Sequence, residues 1–228
     1  MQRIRKGLYL LEAAGLSNCF LIEGSRGLTL FDTGHPLAAP RLAEEIENNG
    51  FALQDLDQIV ISHAHCDHSG GAHGLLERRR VKVFAHPGDI PVIQGRERSR
   101  PRTLGLRLRR WLRRLKGPYQ PIGFVVPVGQ GDSLRSLPQW QVLHAPGHTP
   151  GSICLFQPAE KALLCGDALN NRAGRLALPP PSNCHDPAQA RDSVRKLCAL
   201  DLDVLGCGHG PVIRAGAGLK VRELVAAL

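Results

Sequence analysis

Short apolar runs and stretches of helical spacing alternate along the chain, and the alternation occurs twice. Residues 7–13 (GLYLLEA), 18–24 (NCFLIEG) and 27–32 (GLTLFD) are apolar segments divided by Gly, Ser and Asn. That punctuation suits hairpin turns and predicts an antiparallel meander. Residues 37–49 (LAAPRLAEEIENN) have helical composition and stop at Gly50, a residue suited to a helix C-terminus. Residues 57–62 (DQIVIS) predict a compact strand that runs directly into HAHCDHSGG. A helix over 70–80, a strand over 81–86 and a short helix begun around a proline in 86–94 follow. The second half predicts strands at 122–128, 139–145, 152–157 and 161–167, a helix near 186–200, a strand at 203–208 and a helix over 217–228. Each half opens with strands and closes helix, strand, helix. The pattern predicts an α+β chain with two sheets face to face and helices outside.

The length of 228 residues fits one large domain spanning 1–228. The formal charge of +9 suggests a nucleic-acid partner until its location is examined. Residues 96–116 hold nine Arg and one Lys against Glu97, which leaves 19 basic and 19 acidic residues elsewhere. The basicity therefore belongs to one insert, at about 96–117, and not to the fold. Within it Leu104, Leu108, Trp111, Leu112 and Leu115 recur at helical spacing, so 103–116 predicts an amphipathic helix. Such a helix can pack on the surface, act as a lid that gives Trp111 to an anionic or amphiphilic substrate, or touch nucleic acid or anionic lipid. The seven cysteines are odd in number and lack C-x-x-C spacing, which predicts reduced, mostly buried thiols. No apolar run approaches the roughly 20 residues of a membrane span, and the first residues lack a secretory pattern. The expectation is a cytoplasmic protein.

Chemistry concentrates after the strand at 57–62. His63, His65, Asp67 and His68 offer four metal-binding side chains within six residues. Alternation sets His63 and His65 on one side, while Asp67 and His68 begin the next turn and can serve a second centre. His148 in HAPGHTPGS, Asp167 in LLCGDAL and His209 in GCGHG also stand at strand ends, each beside glycines that let backbone crowd a centre.

In this order, H-x-H-x-D-H, H-T-P-G-S, G-D and G-H-G, the chain resembles the metallo-β-lactamase superfamily over essentially its whole length. The resemblance implies an αββα sandwich of two mixed sheets with helices on both outer faces. It also implies that His63, His65 and His148 hold one metal, that Asp67, His68 and His209 hold a second, and that Asp167 bridges them. Asp32 in FDTG matches a position where a carboxylate hydrogen-bonds a ligand histidine and fixes its tautomer. Two divalent ions are implied, zinc first, with iron or manganese also compatible.

The expected activity is hydrolysis of an ester-type bond in a small molecule, a lactone or thioester, by a metal-bound hydroxide. Asp67 would both ligate and accept a proton. His185, in PPPSNCHD, is a candidate substrate contact. Glyoxalase II-like enzymes share the histidine motif but carry a helical C-terminal addition. Other readings are a persulfide dioxygenase with one iron, in which His68 and His209 would not ligate, or hydrolysis of anionic phosphoesters or β-lactams.

Overall fold

The computed structural model describes residues 1–97 and 118–228. The first sheet has seven strands in chain order: β1 (Gln2–Arg5), β2 (Leu8–Leu11), β3 (Cys19–Glu23), β4 (Leu28–Phe31), β5 (Leu56–Val60), β6 (Lys82–Ala85) and β7 (Val126–Pro127). The strands from β1 to β4 pair antiparallel, as the meander predicts, and those from β4 to β7 pair parallel. The second sheet contains β8 (Ser133–Leu134), β9 (Leu137–His144), β10 (Ile153–Gln157), β11 (Ala162–Gly166) and β14 (Val204–Cys207), with β14 parallel to β11 and the other pairs antiparallel. A small hairpin, β12 (Asn170–Arg172) and β13 (Arg175–Ala177), stands apart.

Three apolar layers account for the sandwich. Along β3, Cys19 and Leu21 join one core while Phe20 and Ile22 join another, because successive side chains leave opposite faces of a strand. The outer layer of the first sheet sets Leu21, Leu30 and Ile59 against Leu42 and Ile46 of α1 (Ala39–Asn48) and Leu75 of α3 (Ala72–Arg78). Phe31 and Val60 meet Trp140, Val142 and Leu155 in the layer between the sheets. Leu163 and Leu205 face Val194 of α5 (Pro187–Leu197) and Val221 of α6 (Ala217–Ala226) beyond the second sheet. Both faces of these strands are covered, which explains why β10 and β11 are buried at every position.

Two shorter helices, α2 (Cys66–Ser69) and α4 (Ile90–Ile93), lie in the connections after β5 and β6. The strand expected over 122–128 shrinks to Val126–Pro127, since Pro127 lacks an N–H and suits only a sheet edge. The strand Gln2–Arg5 precedes the first apolar run and was not legible from it. The helix expected over 103–116, with Trp111, lies outside the described residues. Among the described residues, no helix is long and apolar enough to cross a membrane. All seven cysteines are free, and five of them are buried.

Candidate metal centre

Every candidate ligand follows a strand end on one edge of the sandwich. Asp32 follows β4, His63 to His68 follow β5, His148 follows β9, Asp167 follows β11 and His209 follows β14. Parallel pairing aims β4, β5 and β6 in one direction, and two successive antiparallel pairings aim β9 with β11. The Ile153 N–H donates to the Ser62 carbonyl at 2.9 Å and closes the two sheets together at this edge.

All seven predicted ligands come together. His63, His65 and His148 form one set, and Asp67, His68 and His209 another; within each set the donor atoms lie within 4.8 Å of one another. His65 Nδ1 is 3.1 Å from His63 Nε2 and 2.9 Å from His148 Nε2. Asp167 lies between the sets, with Oδ2 3.3 Å from His148 Nε2 and 3.4 Å from His209 Nε2, and Oδ1 3.5 Å from His68 Nε2. Glycine permits this closeness: a Cβ at Gly208 would stand 2.3 Å from Asp167 Oδ1 and 2.7 Å from His68 Cε1.

Proton positions follow from the partners. Asp32 Oδ2 accepts from His68 Nδ1 at 2.8 Å and from the Ser62 hydroxyl at 2.7 Å. With its proton directed to Asp32, the Ser62 oxygen accepts from His63 Nδ1 at 2.9 Å. His209 Nδ1 donates to the Leu16 carbonyl at 2.7 Å. In His63, His68 and His209 it is therefore Nε2 that faces inward.

The two sets differ in charge. Burial, reinforced by neighbouring imidazoles, holds His63 well below the ordinary histidine value and pushes His148 down to about 3. Burial also lowers His65. Burial opposes charge on His68 as well, but Asp32 and Asp167 outweigh it and carry His68 up to about 10. His209 is raised against burial by its contact with Asp167. Against the same pull of burial, His68 and other imidazoles hold Asp67 below, and Asp167 well below, the usual carboxylate range.

The donor chemistry fits divalent metal. Asp167 Oδ1 and His148 Nδ1 are buried without a hydrogen-bond partner among the described residues, and such orphans are costly unless something else satisfies them. A cation between the sets would satisfy the carboxylate and separate nitrogens that now crowd one another. Imidazole with carboxylate suits zinc, iron or manganese.

Asp89 is a residue that sequence reasoning missed. It is 1% exposed, Oδ2 accepts from the Ala64 N–H and the Thr149 hydroxyl at 2.7 Å each, and Oδ1 accepts from the Gly151 N–H at 2.8 Å. It thus ties the loop carrying His63 and His65 to the loop carrying His148. The available signal was an aspartate just after a predicted strand end, in HPGD.

His185 is exposed beside the site, its N–H donating to the His148 carbonyl at 3.0 Å. His144 joins no ligand set among the described residues; its ring stacks on His86 with centroids 3.8 Å apart.

The sequence profile of the metallo-beta-lactamase superfamily matches residues 13–209. A probable metallo-hydrolase of Bacillus subtilis, YflN, is 28% identical over 90% of this chain and 84% of its own length. The hydroxyacylglutathione hydrolase of Nitrosococcus oceani is 30% identical over 68% of this chain and 48% of its own length. The chain thus spans about half of that enzyme. Among solved structures, metallo-beta-lactamase family protein TTHA1429 of Thermus thermophilus aligns with a TM-score of 0.72 at 25% identity, over 99% of this chain and 80% of that one. TTHA1623, solved in a di-iron-bound form, aligns at 0.68 with 28% identity, over 93% of this chain and 95% of its own.

Proposed function

The chain belongs to the metallo-beta-lactamase superfamily, and on that footing we propose that it is a dinuclear metal-dependent hydrolase of ester-type bonds in small molecules. Lactones and thioesters are preferred to β-lactams. The observation that carries the reading is Asp167, whose carboxylate reaches both ligand sets at 3.3–3.5 Å. His63, His65 and His148 would hold one ion, Asp67, His68 and His209 the other, and Asp167 would bridge. A complete second set favours this over a single-iron dioxygenase, in which His68 and His209 would be idle. Zinc is the first choice, and an iron pair the second because TTHA1623 holds one.

When bound, the ions supply a water acidified toward neutral pH and a Lewis acid for the substrate carbonyl. The chain's own residues prepare for both. Three largely neutral imidazoles in the first set present lone pairs without first losing protons. His68 must give up its Nε2 proton to ligate, and Asp32 keeps the Nδ1 proton so that the correct nitrogen is exposed. Asp67, ionised and 13% exposed, can accept a proton from the attacking water. His185, at the rim, is a candidate substrate contact. The half-length match to hydroxyacylglutathione hydrolases keeps their substrate a proposal for this chain, ranked below simpler esters.

Elemental mass spectrometry on protein purified without chelator, followed by a lactone and thioester panel, tests the proposal. About two zinc per chain with ester turnover is expected. Near one iron per chain with persulfide oxidation would overturn it, and faster β-lactam turnover would reverse the substrate preference. Asp67→Asn should lower turnover by about 100-fold or more, the scale of a lost general base; a wild-type rate with both metals retained would remove its proton role.

A further inference from the structure

A cavity of about 430 Å3 opens at the opposite end of β5 and β6 from the histidines. Asp57, in its wall, precedes His63 by six residues of mostly extended chain, so the two regions are about 20 Å apart. The volume lies within the roughly 300–1,000 Å3 of small-molecule sites. Its wall gathers Arg26, Arg79, Arg80, Lys82 and Arg135, with Asp57 as the one acid among the described lining residues. Arg26 comes from the β3–β4 turn, Arg79 and Arg80 from the α3–β6 link, Lys82 from the start of β6 and Arg135 from the β8–β9 turn. The concentration is not a by-product of a basic chain, because outside residues 96–116 acids and bases are equal in number.

The acid is already engaged, since the Ser136 hydroxyl donates to Asp57 Oδ2. Arg79 Nε donates to the Leu56 carbonyl at 3.2 Å, which orients its guanidinium. Arg26, Arg80, Lys82 and Arg135 make no ion pair with a described residue. Unpaired like charges in one concavity repel, and a multiply charged anion removes that cost. Guanidinium forks match phosphate oxygens two at a time, so several arginines favour phosphate over an isolated carboxylate. Half-buried Phe84 adds an apolar wall that could receive the remainder of a phosphorylated molecule.

We infer that this cavity is a second binding site, separate from the metal centre, for a small oligophosphate such as the phosphate chain of a nucleotide. The balance of charge supports a ligand carrying three or four negative charges.

Calorimetric titration of the full chain with inorganic tripolyphosphate tests this. Binding should weaken as salt rises, and should weaken at least ~10-fold in Arg80→Glu/Arg135→Glu, whose positions far from the histidines leave metal content and ester turnover within about twofold. Deletion of 98–117 should leave binding intact. Absence of binding in the wild type would overturn the inference. So would binding that survives the double charge reversal, which would seat the anion at the metals, or binding lost only in the deletion, which would seat it on the basic insert. Arg80→Lys/Arg135→Lys, which keeps the charge but removes two guanidinium forks, should weaken binding less than the charge reversal does, separating loss of charge from loss of structure.

Discussion

Asp32 and Asp89 flank β5 on its two sides, one after β4 and the other after β6, and each is 1% exposed with three hydrogen bonds. Their partners differ. Asp32 receives the Ser62 N–H, the Ser62 hydroxyl and an imidazole N–H of His68, so its work is to set protons on candidate ligands. Asp89 receives two backbone N–H groups and one hydroxyl, so its work is to set where loops lie. Asp32 even adopts φ 63°, a left-handed conformation costly for a residue with a Cβ, to reach its partners. A metal centre needs both services, correct tautomers and correct loop positions, and here they come from separate carboxylates.

Replacement of each acid by its amide should divide these roles, and the larger effect belongs to Asp89. Both oxygens of Asp89 accept, so in Asp89→Asn an NH2 must face a backbone donor whichever way the amide turns. A buried donor left unsatisfied costs about 1–3 kcal/mol, and one kcal/mol moves the Tm of a chain this size by about 2–4 °C. Asp89→Asn should thus lower Tm by about 5–10 °C in thermal denaturation and reduce the metal held by His65 and His148. A wild-type Tm would break the distinction between the two carboxylates.

Asp32→Asn has an escape that Asp89→Asn lacks. The Ser62 hydroxyl can turn to accept, and His68, charged in the metal-free protein, can release its Nδ1 proton, keep the one on Nε2 and accept the amide at Nδ1. The fold survives, but the proton then occupies the ligand nitrogen. The expected result is a Tm within a few degrees of wild type, metal affinity at the second set lower by about 10–100-fold, and elemental content falling from about two toward one. Retention of two tightly held ions would show that the tautomer is not what Asp32 controls.

The pH dependence of the metal-free protein sharpens the contrast further. Asp32 and Asp167 raise His68 from an ordinary value near 6.5 to about 10 despite its burial. A raised histidine contributes stability that is fully present below the unfolded value and is lost as pH rises through the folded one. After chelation, Tm should therefore decline between about pH 6.5 and 10. Asp32→Asn should flatten that slope. Asp89→Asn should lower the whole curve without changing it, and a flattened slope there would mean that Asp89 also governs the imidazole.

The same contrast explains what the sequence disclosed. The layers and the seven candidate ligands were legible because β-strands buried on both faces read as continuous apolar runs, and because four metal-binding side chains within six residues have little other use. Asp32 was legible through FDTG, although its reach to His63 through Ser62 was not. Asp89 was hidden because two of its partners are backbone N–H groups, which leave no trace in side-chain identity, and because it stands where a short helix was expected to begin. Strands of two to four residues, such as Ser133–Leu134 and Asn170–Arg172, offer too few positions for alternation to register.

The smallest effect should come from Thr149, and it tests how Asp89 acts on the second loop. The Thr149 hydroxyl donates to Asp89 at 2.7 Å and stands 2.8 Å from the Ser152 hydroxyl, whose oxygen also accepts the Thr149 N–H at 3.0 Å. Thr149→Val keeps the shape and removes the hydroxyl's links to Asp89 and to Ser152, while the Gly151 N–H still reaches Asp89 at 2.8 Å. A Cβ at Gly151 would stand 2.7 Å from the Asp89 side chain, so the backbone link relies on glycine at that position. If the backbone link dominates, Thr149→Val should cost about 1 kcal/mol, lower Tm by about 2–4 °C and leave metal content unchanged, with Thr149→Ser restoring the loss. Metal loss as severe as in Asp89→Asn would instead assign the hold on His148 to the hydroxyl chain, making side chains rather than backbone the means by which Asp89 joins the two loops.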